Sequence, residues 1–320
     1  MNLKNQDEQA KRCFDIKRRS FNKLILSGAA LGIVSPLSRA VMIGGVDIGT
    51  ISYSFRDIPK NGDTVGTLIE AFQSSGMDIA ELTNADIEPL SIPRGGRVPT
   101  PISQAYLAER ERVRQSRLSD PLSRYEEIAQ RFASAGIRIL DYVMTFSEDF
   151  TDEEIEKTMQ VTRALGVDII GTNQTRIPMA EYLVPFAEEY DIKLSFHNHS
   201  SSDDPNEVAS VESFERLFEM SDNYMANLDV GHFVGGNNNP LPFIDRYHDR
   251  ITHLHLKDRE FNDGPNHSWG EGHTPLVEIL RMLKDKNYSI PCIIEYEYRG
   301  DSDPISEVRR CADFIRDALA

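Results

Sequence analysis

The chain has 320 residues, 40% of them hydrophobic, and a formal net charge of −16. That length suits one α/β barrel with a sizeable core, and no apolar run reaches the roughly 18 residues of an ordinary membrane span. The first 40 residues hold eight Lys or Arg against three Asp or Glu, which leaves −21 on the rest; such a body repels phosphate backbones and argues against nucleic acid, although solubility is the plainer reason for the excess.

Residues 17–23 read Lys-Arg-Arg-Ser-Phe-Asn-Lys, and an apolar run of 11 residues, Leu24 to Val34, follows. Ser38-Arg39-Ala40 then places small residues around a cut after Ala40. A charged start, a short apolar centre and a small-residue exit are the parts of an export signal. Arg18-Arg19 with Phe21 and Lys23 resembles the twin-arginine type. The expectation is a signal peptide over 1–40, a periplasmic or other extracytoplasmic location, and a domain over 41–320. An uncleaved anchor is the weaker alternative, because the apolar run is too short to span.

Past the leader, β-rich runs alternate with helical patterns. Val46–Phe55 reads as strand one and Thr64–Ser74 as a helix stopped by Gly76. Asp78–Thr83 is strand two. The polar segment 84–120 is rich in Arg and Pro; its second half reads as helix, and 121–134 continues it. Ile137–Phe146 is strand three, and Thr151-Asp-Glu-Glu154 is a capping box opening a helix to Leu165. Val167–Thr172, Lys193–His199, Ala226–Val230, Ile251–Lys257 and Pro291–Tyr298 are strands four to eight. Helices near 179–190, Val211–Met220, Leu241–Tyr247, Pro275–Lys286 and Ile305–Leu319 lie between and after them. Eight strands, each followed by a helix, predict a single parallel (β/α)8 TIM barrel. A doubly wound sheet would carry a Gly-rich turn after its first strand, and none is present. Cys13 lies in the leader. Cys292 and Cys311 read as inert packing, with a bridge between them left open for an oxidising compartment.

All eight histidines lie between residues 197 and 273. Side chains two apart share a strand face. His197 and His199 therefore oppose Leu194 and Phe196. Asn227 and Asp229 oppose Leu228 and Val230. His253, His255 and Lys257 oppose Leu254 and Leu256, and Glu295 and Glu297 oppose Ile294 and Tyr296. Four successive strands thus carry metal-competent groups near their carboxyl ends, where barrels build active sites. Burying so many ionisable groups is costly unless something compensates. One divalent ion would do so, and mixed imidazole and carboxylate donors suit manganese, zinc or cobalt; iron and magnesium also fit the expectation. The plainer alternative is a hydrogen-bonded His–carboxylate network without metal.

In order along the chain, SYSFRD (52–57), SFHNHS (195–200), LDVGH (228–232), HLHLKD (253–258), GEG (270–272) and IIEYEY (293–298) resemble the sugar phosphate isomerase/epimerase family, the xylose isomerase-like barrels. The resemblance runs from about residue 46 to the end. It implies one metal ion held by His197, Asp229, His255 and Glu295, with His232 near the substrate. In the family's sugar epimerases the strand-five ligand is commonly a Glu that pairs with the strand-eight Glu as two acid/base groups. Here that position is His197, which departs from the two-glutamate pattern and leaves His199 as a rival ligand.

A metal ion that chelates a hydroxyl and a neighbouring carbonyl stabilises the enediolate formed when the α-carbon loses its proton. Candidate bases are Glu295, Lys257 and His199; Lys257 is expected to have a lowered pKa through crowding by the metal, or else to pair with a carboxylate such as Asp258. Glu297, Tyr53, Glu81 and Glu271 are candidate substrate contacts, with rim packing, an internal pair or an ordinary turn as the plainer readings. The loop of Trp269, Glu271 and His273 could close over the site through Gly270 and Gly272. The expected activity is that of an isomerase or epimerase on a non-phosphorylated sugar or keto-sugar. Elimination from a 3-keto-glycoside is the alternative, since one enediolate serves both. A barrel endonuclease is disfavoured by the acidic body, and a non-catalytic sugar-binding protein by the intact ligand positions. A small carbohydrate is the expected partner, with a homodimer as a family-level expectation.

Overall fold

The computed structural model describes residues 42–90, 98–201 and 203–320. The leader, with its export and location expectations, lies outside the described residues. Eight parallel strands run in sequence: β1 (Val46–Ile51), β2 (Ile79–Thr83), β3 (Arg138–Val143), β4 (Ile169–Thr172), β5 (Lys193–His197), β6 (Tyr224–Asp229), β7 (Ile251–Leu256) and β8 (Cys292–Ile294). Each pairs with the next, and β8 pairs with β1, so the sheet closes. A two-residue strand, Met42–Ile43, adds an antiparallel hairpin arm to β1.

The alternation read from the sequence decides which face meets the helices. Leu194, Phe196, Leu228, Leu254, Leu256 and Ile294 have no exposed surface. Burial of each such side chain contributes about 1.5–3 kcal/mol. Helices α1 (Thr64–Ser75), α2 (Gln104–Ser119), α3 (Leu122–Ser134), α4 (Asp152–Ala164), α5 (Ile177–Tyr190) and α6 (Val211–Met220) surround the first six strands. The short α7 (Val230–Gly235), then α8 (Pro240–Tyr247), α9 (Leu276–Lys286) and α10 (Pro304–Leu319), complete the ring. The Thr151 side chain accepts the Glu154 N–H, and the Glu154 carboxylate accepts the Thr151 N–H, so the predicted capping box opens α4. Gly76, at φ 78°, closes α1 in the left-handed conformation that glycine adopts freely.

Six strands end earlier than the sequence suggests: β5 at His197 and β7 at Leu256, and β1, β3, β6 and β8 as follows. β1 stops at Ile51, and Ser52–Phe55 forms a 3-10 turn. Thr50 and Ser54 donate their hydroxyls to the Ile294 carbonyl at 2.8 and 3.2 Å, and Tyr296 donates its N–H to Ser54 Oγ. These bonds replace ladder bonds and end β1 and β8 together. β3 ends at Val143, short of the expected Phe146. β6 ends at Asp229 because its carboxylate caps α7, accepting the His232 N–H at 2.6 Å. Val230, expected to end strand six, instead begins that helix.

The Arg-rich segment forms a buried ion network. Glu154 receives Arg110, Arg114 and Arg117 at 2.6–3.0 Å. Arg117 also forks onto Glu88 with two bonds of 2.9 Å, and the Tyr142 hydroxyl donates to Glu88. Arg117, Asn84, Ala85 and Asp86 line the central cavity, so these residues of the segment form part of one wall. Cys292 and Cys311 are both free and buried, which resolves them as packing. Among the described residues no helix is long and apolar enough to cross a membrane.

Candidate metal centre and active site

The carboxyl ends of β5 to β8 converge on a cavity of about 350 Å³. His197 ends β5, Asp229 ends β6, His255 lies one residue before the end of β7, and Glu295 follows β8. All four are buried, and one donor atom from each lies within 4.8 Å of the others. His255 Nδ1 is 3.1 Å from Glu295 Oε2, and His197 Nε2 is 3.8 Å from Asp229 Oδ2. His197 Nδ1 has no hydrogen-bond partner although it is buried. Two imidazoles and two carboxylates around one point are a donor set for a first-row divalent ion. His199 belongs to a second grouping with His197 and His232, away from the two carboxylates. Of the two rival histidines, His197 is the one that joins Asp229, His255 and Glu295.

The electrostatics follow from burial and neighbours. Burial, then the neighbouring His255 and His199, holds His197 well below the usual imidazole range, so its ring is neutral. Burial and the Lys257 charge bring His199 down to about 4 and lower His232 as well. Burial raises Asp229 to about 7 even though Lys257 opposes the rise. Glu295 goes the other way: burial is outweighed by Lys257 and His255, and it stays ionised. His255 is desolvated, but Glu81 and Glu295 push it well above its ordinary value.

Lys257 follows the second of its two expectations, pairing with nearby carboxylates. Its ammonium lies 3.1 Å from Asp229, 3.0 Å from Glu295 and 2.7 Å from Glu297. Burial disfavours its charge, but these three carboxylates raise its pKa above the usual lysine value. Among these three carboxylates it is a paired cation. Asp258 does not pair with it; that carboxylate accepts the N–H groups of Gly270, Gly272 and Thr274. The same bonds pin the loop that the sequence suggested might move. Asp258–Arg259 also pairs with Asn266–His267, and Trp269 packs edge-on against Phe314.

The remaining candidates divide. Tyr53, Glu297 and His232 line the cavity, and the Arg56 guanidinium stacks over Tyr53 at 4.4 Å. Glu297 pairs with Lys257 instead of the exposed Arg299, and it also accepts from Asn266 at 3.4 Å. Glu81 reaches the cavity floor but is fully buried, with Oε2 2.6 Å from His255 Nε2. Burial opposes its charge, yet His255 and His253 bring it down to about 2. Below it, Asp141 is pushed well above the carboxylate range by burial and by the Glu81 charge, so Glu81 is the ionised member of that pair. Glu271 is exposed and lies outside the cavity; its expected substrate role is not supported.

Three participants were given no role from sequence, although Asn227 had been placed on the same face as Asp229. Asn198 donates to the Asp229 carbonyl and accepts the Asp229 N–H, fixing that ligand's backbone. Asn227 lies 3.1 Å from His255 Nε2. Arg259 reaches His232 Nδ1 at 2.5 Å, while Lys257 reaches Nε2 at 3.0 Å. A neutral imidazole accepts through one nitrogen only, so His232 takes a bond from one of these cations at a time. The alternation that marked Asp229 had already placed Asn227 on the inward face. The other two contacts have no local signal.

The Xylose isomerase-like TIM barrel family profile matches residues 113–318. The chain is 32% identical over 130 residues to Inosose dehydratase of Clostridium beijerinckii (strain ATCC 51743 / NCIMB 8052). That match covers 35% of this chain and 42% of the relative, so the chain spans less than half that relative's length. In structure it is similar to a sugar phosphate isomerase/epimerase from Parabacteroides distasonis ATCC 8503, with TM-score 0.57, 18% identity, and 85% and 96% of the two chains covered. It is likewise similar to the IOLI protein with a binding zinc atom, at TM-score 0.59 and 15% identity, over 85% and 99% of the chains. With a profile covering more than half its length and the closed parallel barrel that the profile describes, the chain belongs to the xylose isomerase-like TIM barrel family.

Proposed function

We propose that the protein is a metal-dependent lyase that enolises a non-phosphorylated keto-sugar and eliminates a substituent β to the carbonyl. His197, Asp229, His255 and Glu295 would hold one divalent ion, which supplies polarisation of the substrate carbonyl. The observation that carries the reading is His197 at the strand-five position. Where an epimerase of this family commonly places a second glutamate, this chain has a desolvated, neutral imidazole. Elimination needs one base, and the ionised Glu295 is the carboxylate beside His255. It takes the α-proton and the C–H electron pair forms the enediolate; that pair then becomes the new C=C bond as the β C–O bond breaks, and the departing oxygen takes up the proton Glu295 removed and leaves as water or the aglycone alcohol, with an unsaturated ketone remaining. Lys257 keeps a positive charge against Glu295, and the neutral ring of His199 offers a hydrogen bond to a substrate hydroxyl. The similarity to an inosose dehydratase supports the same outcome.

Isomerisation or epimerisation is the second reading. His199 favours it, because a ring that stays neutral down to about pH 4 can serve as a second proton carrier. The Parabacteroides neighbour's description points the same way. Export through residues 1–40 is part of the proposal and fits a substrate without phosphate.

The deciding experiment incubates metal-loaded protein lacking residues 1–40 with ketoses, aldoses, an inosose and 3-keto-glycosides in deuterated water. Loss of a hydroxyl or aglycone with a new double bond in the NMR spectrum is expected. Deuterium at the α-carbon of a rearranged or inverted sugar supports the second reading. No exchange on any substrate with metal bound counts against both.

Metal affinity is expected to rise with pH. Asp229, raised to about 7, and His255, raised above the ordinary imidazole value, must each shed a proton before they ligate. Below about pH 7 the proton competes with the ion; above it Asp229 no longer takes part in that competition. Chelator competition should show affinity at pH 8 at least about tenfold above that at pH 6. A flat profile would remove Asp229 and His255 from the ligand set.

A further inference from the structure

We infer that Glu81 is a positioning residue that fixes the tautomer of His255, so that Nδ1 faces the metal ion and Nε2 keeps its proton. The inference rests on the metal-centre reading and not on which reaction follows. His255 stands between two carboxylates: Nδ1 is 3.1 Å from Glu295 Oε2, and Nε2 is 2.6 Å from Glu81 Oε2. Glu295 belongs to the four-residue ligand group and Glu81 does not. A neutral imidazole has one N–H and one lone pair, and an ionised carboxylate only accepts. A proton on Nε2 donates to Glu81 in a short, charge-assisted bond and leaves the Nδ1 lone pair for the ion. The reverse tautomer would set the Nε2 lone pair against the Glu81 carboxylate at 2.6 Å and block ligation through Nδ1.

Two further features support this assignment. The ladder registers shift between Ala80 and Glu81 in β2 and between Ala226 and Asn227 in β6. The residue just past each shift is the one that contacts His255 Nε2. Such irregularities re-aim side chains beside active sites. Asn227 Nδ2 is the atom 3.1 Å from His255 Nε2, and its Oδ1 has no partner; turning the amide over, which leaves its shape unchanged, sets Oδ1 against a protonated Nε2 and gives it a donor. His253 Nε2 lies 3.4 Å from the same Glu81 oxygen but makes no hydrogen bond to it, so His255 is the imidazole that Glu81 holds.

The test reads the tautomer directly. In zinc-loaded, 15N-labelled full chain, long-range proton–nitrogen correlation is expected to show His255 with Nε2 protonated and Nδ1 bound. Chelator competition on Glu81→Gln and Glu81→Ala is expected to show zinc affinity about 10–100-fold weaker, with the cobalt absorption spectrum altered. His255 bound through Nε2 overturns the inference, as does wild-type zinc affinity in folded variants. If neither variant folds, the wild-type spectrum alone decides. A wild-type protein that binds no zinc or cobalt overturns the metal-centre reading together with this inference.

Discussion

Glu295→Gln is expected to lower turnover by about 10³-fold or more, within the range for losing a positioned base and with a ligand lost besides. The side chain is 7% exposed and nearly isosteric with Gln, so the site keeps its shape. Lys257 retains Asp229 and Glu297 at 3.1 and 2.7 Å, so no buried cation is stranded. What disappears is one negative donor to the ion and the ionised carboxylate beside His255. The two roles separate in one experiment: metal affinity by chelator competition, and α-proton exchange at saturating metal. If added metal restores exchange to the wild-type rate, Glu295 is a ligand only and the base must be sought at His199. If exchange stays low when metal is bound, the carboxylate is the base.

Much of this site was legible because a closed parallel barrel translates sequence parity into direction. Leu194, Phe196, Leu254 and Leu256 alternate with His197, His253 and His255, and the structure buries the first set against helices and the second around the axis. Helix starts were legible where the cap is local, as at Thr151 and Glu154. Features set by partners distant in sequence were not. The end of β1 depends on the Ile294 carbonyl, some 240 residues away. The arginines of 84–120 looked like a solvated polar stretch, yet Arg110 and Arg117 are nearly fully buried because Glu88 and Glu154 meet them. Glu81 was left between substrate and an internal partner since parity gives only its face; its 2.6 Å contact with His255 required the folded barrel. Lys257 was placed on the correct face, and the expected pairing with one carboxylate involves three, because the number of carboxylates around it exceeds what its own strand shows.

That miscount gives the second large effect. Lys257 is 1% exposed and sits among Asp229, Glu295 and Glu297. Lys257→Met keeps the length of the stem and deletes the charge, leaving three carboxylates to repel one another in a buried site. Removing one partner of a buried ion pair costs about 3–5 kcal/mol. At about 2–4 °C per kcal/mol for domains approaching this size, the metal-free variant should melt on the order of 10 °C below wild type. The divalent ion changes the comparison. In wild type it must approach Asp229 and Glu295 against an ammonium about 3 Å from both, whereas in the variant that opposing charge is gone. Bound ligand stabilises by RT ln(1 + [L]/Kd), about 2.7 kcal/mol at a hundredfold excess over Kd, so tighter binding appears as a larger upward shift in Tm. The variant should therefore gain more from zinc or manganese than wild type does, and the gap between their melting temperatures should narrow as metal is titrated. Parallel shifts would mean that Lys257 and the ion do not share the Asp229 and Glu295 carboxylates, and the ion would have to be sought at His197, His199 and His232 instead.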